Sequence, residues 1–122
     1  MTAIAVTRAY DPPAGEKGFR VLVDRLWSRG LSKARAAIDL WRRASTPSDA
    51  LRHRYQHDPA RWDEFRARDA QELSMQEAAV RELLQHCAAG TVTLLYASRE
   101  QQLNNAVALR EYLQARENDV VR

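Results

Sequence analysis

Short apolar runs rich in β-branched residues mark the positions where strands are expected. Residues 4–6 form the first run, which a loop rich in proline and glycine ends, and residues 19–24 form a compact run typical of a buried strand. A shorter strand is expected over residues 38–41. The clearest strand lies near the other end of the chain, at residues 91–96. The pattern therefore predicts three to four strands.

Between the third and last of these strands, apolar residues recur every three or four positions, which indicates helices. Ser48 is the expected N-cap of a short helix, and Asp58 followed by a proline is the start signal of a second one. Asp69 interrupts the apolar stripe of this second helix. We therefore expect a break near Ser74 and a third helix that stops at Gly90.

A final helix is predicted over residues 100–116. Ser98 and Gln101 have the spacing of a capping box at its start, and residues 117–122 are expected to fray. Strands separated by helices need crossover connections, so the last strand is most simply parallel to the second. The predicted fold class is α/β: a single domain over residues 1–116, with a small parallel or mixed sheet of three to four strands and helices packed on it.

Composition and length agree with one globular domain. The 122 residues are 45% hydrophobic and 29% charged, which suits one packed core rather than two domains or a disordered segment. No apolar run approaches the roughly 18 residues that a membrane span needs, and the N-terminus lacks the pattern of a signal peptide. A single cysteine, Cys87, rules out an internal disulfide. We therefore expect a cytoplasmic protein with no membrane partner.

Positive charge is concentrated in the first half of the chain. The first 61 residues hold 12 Lys or Arg against six Asp or Glu, whereas the remainder holds seven against ten. This imbalance is typical of a chain that attracts phosphates, nucleic acid or another acidic partner, and it is equally consistent with arginines that are only solvated. One alternative is nucleic-acid binding through an exposed basic stripe, and another is an interaction module whose activity depends on a partner protein. The residues of the predicted stripe are Arg20, Arg35, Arg42, Arg43, Arg52 and Arg54.

The exits of two strands are the predicted functional site, because ligands of open α/β sheets bind beyond the carboxyl ends of parallel strands. Residues 24–30 follow the second strand and residues 96–99 follow the last. If those strands are neighbours, both exits open into one basic, polar cleft beside the start of a helix. Arginine grips phosphate or carboxylate bidentately, and a helix start offers free N–H groups. We therefore expect a small anionic ligand bound by Arg25, Trp27, Arg29, Arg52, Tyr96, Ser98, Arg99 and Asn104.

A purely structural interpretation of the same segments stays open. In it, Asp24 pairs with Arg25 or Arg29 to pin the loop, and Ser98 serves only as a helix cap. The one candidate for proton transfer near neutral pH is His57. The sequence does not decide whether the chain is an enzyme.

Other patterns with chemical potential point to ordinary structural roles. His53 and His57 are four residues apart, but no glutamate lies between them, so no metal site is predicted. Cys87 sits among leucines late in a helix and is expected to be a buried packing thiol. There is no glycine-rich phosphate loop, and no cofactor is predicted.

Four ordered blocks of the sequence resemble the YeaO-like family, bacterial proteins classed as a domain of unknown function. The first is Asp-Arg-Leu-Trp-Pro-Arg-Gly, which residues 24–30 match except that Ser28 replaces the proline. Ser28 therefore cannot be a nucleophile common to the family, and Asp69 stands where an aromatic residue is common. The resemblance implies an α/β fold and brings no established activity. The other blocks are matched by Asp39, Trp41, Pro47, Ser48, Leu51 and Arg52, by His57, Asp58, Pro59, Arg61, Trp62 and Phe65, and by residues 93–96, Arg99, Asn104 and Ala106.

Overall fold

The computed structural model describes residues 4–11, 18–56, 58–100 and 102–121. The predicted proton carrier His57 and the predicted capping residue Gln101 lie outside these residues. The elements in chain order are β1 (Ile4–Arg8), β2 (Phe19–Leu22), α1 (Lys33–Ala36), β3 (Leu40–Trp41), α2 (Asp49–Tyr55), α3 (Trp62–Ser74), α4 (Glu77–Ala89), β4 (Val92–Tyr96) and α5 (Asn105–Val121).

The four strands form one sheet in the order β1-β4-β2-β3, and every neighbouring pair is parallel. The last strand in sequence, β4, therefore lies between the first two. Ile4 and Phe19 both pair with Val92, on opposite sides of it. The predicted α/β class is confirmed, and of the two expected sheet types the parallel one is found.

Both faces of the sheet are covered by apolar side chains. Successive side chains of a strand point to opposite faces, so Val21 and Leu94 lie on one side while Leu22 and Leu95 lie on the other. The first face packs against α3, α4 and α5, and the second packs against the segment after β2, with Leu31 at its edge. All four of these strand residues are fully buried, as expected for the central strands of a parallel sheet.

The helix boundaries in the middle of the chain follow the predicted signals. The Ser48 hydroxyl accepts a hydrogen bond from Leu51 N at 3.2 Å, which caps α2. Asp58 caps a single 3-10 turn that leads directly into α3, with its Oδ1 accepting from Ala60 N at 3.0 Å. The predicted break is confirmed, because α3 ends at Ser74 and α4 begins two residues beyond Met75.

The start of the last helix differs from the prediction. It begins at Asn105 rather than near residue 100, because Asn104 supplies the cap: its Oδ1 accepts from Val107 N at 3.0 Å. Ser98 is not the cap, and its hydroxyl instead donates to Glu100 O at 3.3 Å. The backbone also remains helical to Val121, beyond the predicted end of the domain.

Asp69 corrects a second expectation. We expected it to interrupt the apolar stripe of the helix, but it is only 2% exposed and lies on the same buried side of α3 as Phe65 and Leu73. Among the described residues its Oδ1 has no hydrogen-bond partner. Burial, with a smaller contribution from Glu72, raises the pKa of Asp69 to about 7.

Within the part of the chain that is described, none of the helices combines the length and the apolar character needed to cross a bilayer.

Asp69 predicts a pH-dependent stability. In the unfolded chain its pKa is near the ordinary 3.8, so between that value and about pH 7 folding takes up a proton. The free energy of unfolding should therefore fall as pH rises through this window, by up to about 4 kcal/mol. Asp69→Asn removes the titration and should raise the urea midpoint at pH 8 while changing it little at pH 4.

Urea denaturation at both pH values measures this effect, and Asp63→Asn is the matched control because its side chain is 89% exposed on the same helix. If wild type and Asp69→Asn show the same pH dependence of stability, Asp69 does not carry the buried proton.

Candidate functional site

The exits of β2 and β4 lie side by side, and hydrogen bonds join them. The Asp24 carboxylate, just after β2, accepts from the Ala97 backbone N–H just after β4 at 2.8 Å. The Asn105 side chain, at the start of α5, donates to Val23 O at 2.8 Å and to Asp24 Oδ1 at 3.3 Å. The exit of β2 is therefore held against the exit of β4 and the start of α5, which lie far along the chain.

An open cleft of ≈ 820 Å³ lies at this edge. One wall is residues 24–29, the segment that leaves β2. The opposite wall comes from α2 and its entry at Pro47, and the inner end is formed by Phe65, Asn105 and residues 97–98 after β4. The size is that of ordinary small-molecule sites.

Five of the eight predicted ligand-binding residues line this cleft, namely Arg25, Trp27, Arg29, Arg52 and Ser98. The other three do not. Tyr96 is 4% exposed and packs in the core against the helices, whereas Asn104 is fully buried as the cap of α5. Arg99 is exposed but lies outside the lining of the cleft.

Three N–H groups around the start of α5 are already bonded to side chains of the chain itself, whereas free N–H groups were expected there for an anion. The Glu100 carboxylate accepts from Gln102 N at 2.9 Å and from Leu103 N at 3.1 Å, and Asn104 accepts from Val107 N. The charged donors that line the cleft are arginines.

Two of these arginines share one internal carboxylate. Asp49 Oδ1 lies 3.2 Å from Arg25 Nε and 3.3 Å from Arg52 Nη1, so it bridges a residue of the β2 exit and a residue of α2. All three side chains are at least 40% exposed. Arg29 is exposed and its guanidinium has no ion pair among the described residues.

Asp24 does not pin the loop in the way the structural interpretation required. Its carboxylate bonds to Ala97 and Asn105, and neither Arg25 nor Arg29 forms an ion pair with it. Burial raises the pKa of Asp24, while the hydrogen bonds from Ala97 and Asn105 and the charge of Arg52 act in the opposite direction. The arginines of the β2 exit therefore keep their access to water.

Aromatic side chains give the cleft rigid apolar walls. The Trp27 indole donates to Leu31 O at 2.8 Å and meets the Trp41 ring edge-on at 5.3 Å, so its N–H is already used inside the protein. Tyr55 stacks on Phe65 with ring centroids 4.4 Å apart, and its hydroxyl donates to Leu103 O at 2.6 Å. Burial raises the pKa of Tyr55 to about 12, so the phenol is neutral at physiological pH.

Sequence reasoning missed several residues of the cleft. The sequence suggests Asp24 only as a residue that pins the loop and His53 only as one of two possible metal ligands, yet both line the cleft. The position of Asp24 directly after a buried strand was a usable signal. Asp49 and Asn105 carried none, because their roles depend on how α2 and α5 approach the sheet.

Neither of the reactive candidates elsewhere in the chain adds chemistry to this site. Cys87 is 1% exposed, and burial raises the pKa of its thiol to about 11. Among the described residues no group of three or more His, Cys, Asp and Glu side chains could hold a metal ion.

The basic stripe expected for nucleic-acid binding is not continuous. Arg20 is 5% exposed and donates to Ala36 O at 2.9 Å, so the prediction that it lies on an exposed stripe is wrong. Arg42 pairs with Glu82, and Arg54 forms two hydrogen bonds of 3.0 Å with Glu64. Two arginines of the predicted stripe are thus paired with acidic residues of the second half of the chain.

Comparison with known proteins agrees with the sequence motifs. The uncharacterised protein YeaO of Escherichia coli K12 is 34% identical over 112 residues, which cover 92% of this chain and 97% of YeaO. The uncharacterised protein Rv3073c of Mycobacterium tuberculosis H37Rv is 36% identical over 115 residues, which cover 94% and 97% of the two chains. No solved structure matches the chain.

The family described as the inactive DUF488-N3 subclade, DUF488-N3i, matches residues 3–120, nearly the whole length. The family model and the YeaO match both extend over nearly the whole chain, so the relationship does not rest on a shared fragment. The chain belongs to the DUF488-N3i family and is a relative of the YeaO-like proteins that its sequence motifs resemble.

Proposed function

We propose that this protein binds a small ligand with an anionic group, a phosphate or a carboxylate, in the cleft between the β2 exit and α2. The observation that carries the proposal is that Arg25, Arg29 and Arg52 surround one opening at the carboxyl ends of adjacent parallel strands. Arginine is the side chain best suited to hold such oxyanions.

The charge balance of the cleft supports an anion rather than a cation. Three arginines line it against two carboxylates, Asp24 and Asp49, and one of the arginines, Arg29, has no ionic partner among the described residues. The apolar walls from Trp27 and Phe65 suit the carbon skeleton of an organic ligand.

Binding rather than catalysis is the role we propose. The description of the matched family as an inactive subclade supports this choice. A cytoplasmic location, which fits a chain with one buried cysteine, completes the proposal.

Removing Arg29 should weaken binding without weakening the fold. In wild type, phenyl phosphate should bind saturably, because it combines a phosphate with an apolar ring. Arg29→Ala loses a charged hydrogen-bond donor and should raise the dissociation constant roughly ten-fold or more, since such bonds contribute about 1.5–3 kcal/mol. The melting temperature should change little because the side chain is exposed.

Isothermal titration calorimetry measures the affinity, and Arg81→Ala is the matched control. Arg81 is 69% exposed on α4, outside the cleft, and its removal changes net charge equally. If both variants lose affinity equally, the effect comes from net charge rather than from Arg29. Absence of saturable binding in wild type would overturn the proposal.

Asp49 should act as an internal competitor of the ligand. Because its Oδ1 bridges Arg25 and Arg52, an incoming anion must displace it or share the two guanidiniums. Asp49→Asn removes this competing charge and should bind phenyl phosphate several-fold tighter than wild type. A small loss of stability is expected as well, because Asp49 lies in the first turn of α2.

Calorimetric titration of Asp63→Asn alongside Asp49→Asn separates the local effect of Asp49 from the effect of net charge on affinity. Asp63 is also an exposed carboxylate paired with an arginine, Arg66, but it lies outside the cleft. Weaker binding by Asp49→Asn would show that its bridge orders the arginines for the ligand, and unchanged binding would equally contradict the proposed competition.

A further inference from the structure

A carboxylate that faces a basic cleft calls for an explanation. Asp24 lines the cleft together with Arg25, Arg29 and Arg52, yet it forms no ion pair with a described residue. Burying a carboxylate is costly unless hydrogen bonds compensate for the lost water. Burial does raise the pKa of Asp24, so the internal donors compensate only in part.

The described residues do not use the full hydrogen-bonding capacity of the Asp24 carboxylate. One carboxylate oxygen accepts from Ala97 N at 2.8 Å and the other from Asn105 Nδ2 at 3.3 Å. Each carboxylate oxygen can accept two hydrogen bonds, so each retains one acceptor site beyond its described partner.

The carboxylate is also held in place from several sides. The residue's own carbonyl accepts from the Trp41 indole at 2.7 Å, which fixes the backbone after β2. Asn105 links it to Val23 O as well, at 2.8 Å, and thereby to the end of the strand. An acceptor fixed in this way needs little reorganisation when a ligand arrives, which favours recognition.

We propose that Asp24 accepts a hydrogen bond from the ligand, so that the cleft selects small anions that also carry a hydroxyl or ammonium group. This inference rests on the proposed function, because the anionic end of the same ligand is held by the arginines. The expected ligand therefore has a short carbon skeleton with a different group at each end. One end carries a phosphate or carboxylate, and the other carries a hydroxyl or ammonium group that donates a hydrogen bond.

Matched ligands test this selectivity on the wild-type protein. The phosphate series is propyl phosphate, 3-hydroxypropyl phosphate and 3-aminopropyl phosphate, and the carboxylate series is butyrate, 4-hydroxybutyrate and 4-aminobutyrate. We expect the donor-bearing members to bind at least ten-fold tighter than the plain alkyl member in whichever series binds. The hydroxyl compounds separate hydrogen bonding from the added positive charge of the ammonium compounds.

Calorimetry gives outcomes that separate this inference from the proposed function. Equal affinity across a series that binds overturns the role of Asp24 and leaves the anion cleft intact. Absence of binding in both series overturns both. Asp24→Asn provides the second measurement, because an amide keeps the size but loses the charge and one acceptor. If circular dichroism shows that the variant is folded and it keeps the full preference for donor-bearing ligands, a group other than Asp24 accepts the hydrogen bond from the ligand.

Discussion

The parallel pairing of β2 with β4 is the constraint on which the cleft depends. It places a strand from the beginning of the chain beside one from the end, in the register Phe19 with Val92 and Leu22 with Leu95. Because both strands run in the same direction, their polar exits arrive at the same edge of the sheet. The hydrogen bond from Ala97 N to Asp24 then ties one exit to the other at 2.8 Å. Without this pairing the exits of β2 and β4 would not line the same cleft.

Charge in the cleft is arranged so that each carboxylate has a different role. Asp49 is exposed and holds two arginines on opposite walls, whereas Asp24 is half-buried and its described hydrogen-bond donors are neutral. The difference follows from position, because Asp49 begins a short helix whereas Asp24 lies just after β2, beside the exit of β4. A ligand that meets both groups therefore encounters a competing anion outside and a hydrogen-bond acceptor inside.

Much of the fold could be predicted from the sequence because its signals are local. A continuous apolar run marks β4, Ser48 and Asp58 mark helix starts, and the predicted break is found after Ser74. The two errors have different origins. Asn104 rather than Ser98 caps α5 through a local bond to Val107, whereas the burial of Asp69 depends on how α3 packs in the fold. The sequence was sufficient to predict that the exits of β2 and β4 converge on one cleft. The contributions of Asp49 and Asn105 could not be predicted, because they depend on how α2 and α5 pack in three dimensions.

The most direct test of the account is a crystal structure of the protein grown with phenyl phosphate. We predict the phosphate within hydrogen-bonding distance of Arg29 and Arg52, with the ring against the wall formed by Trp27 or Phe65. A well-ordered ligand bound elsewhere on the surface, with the cleft filled only by water, would contradict it.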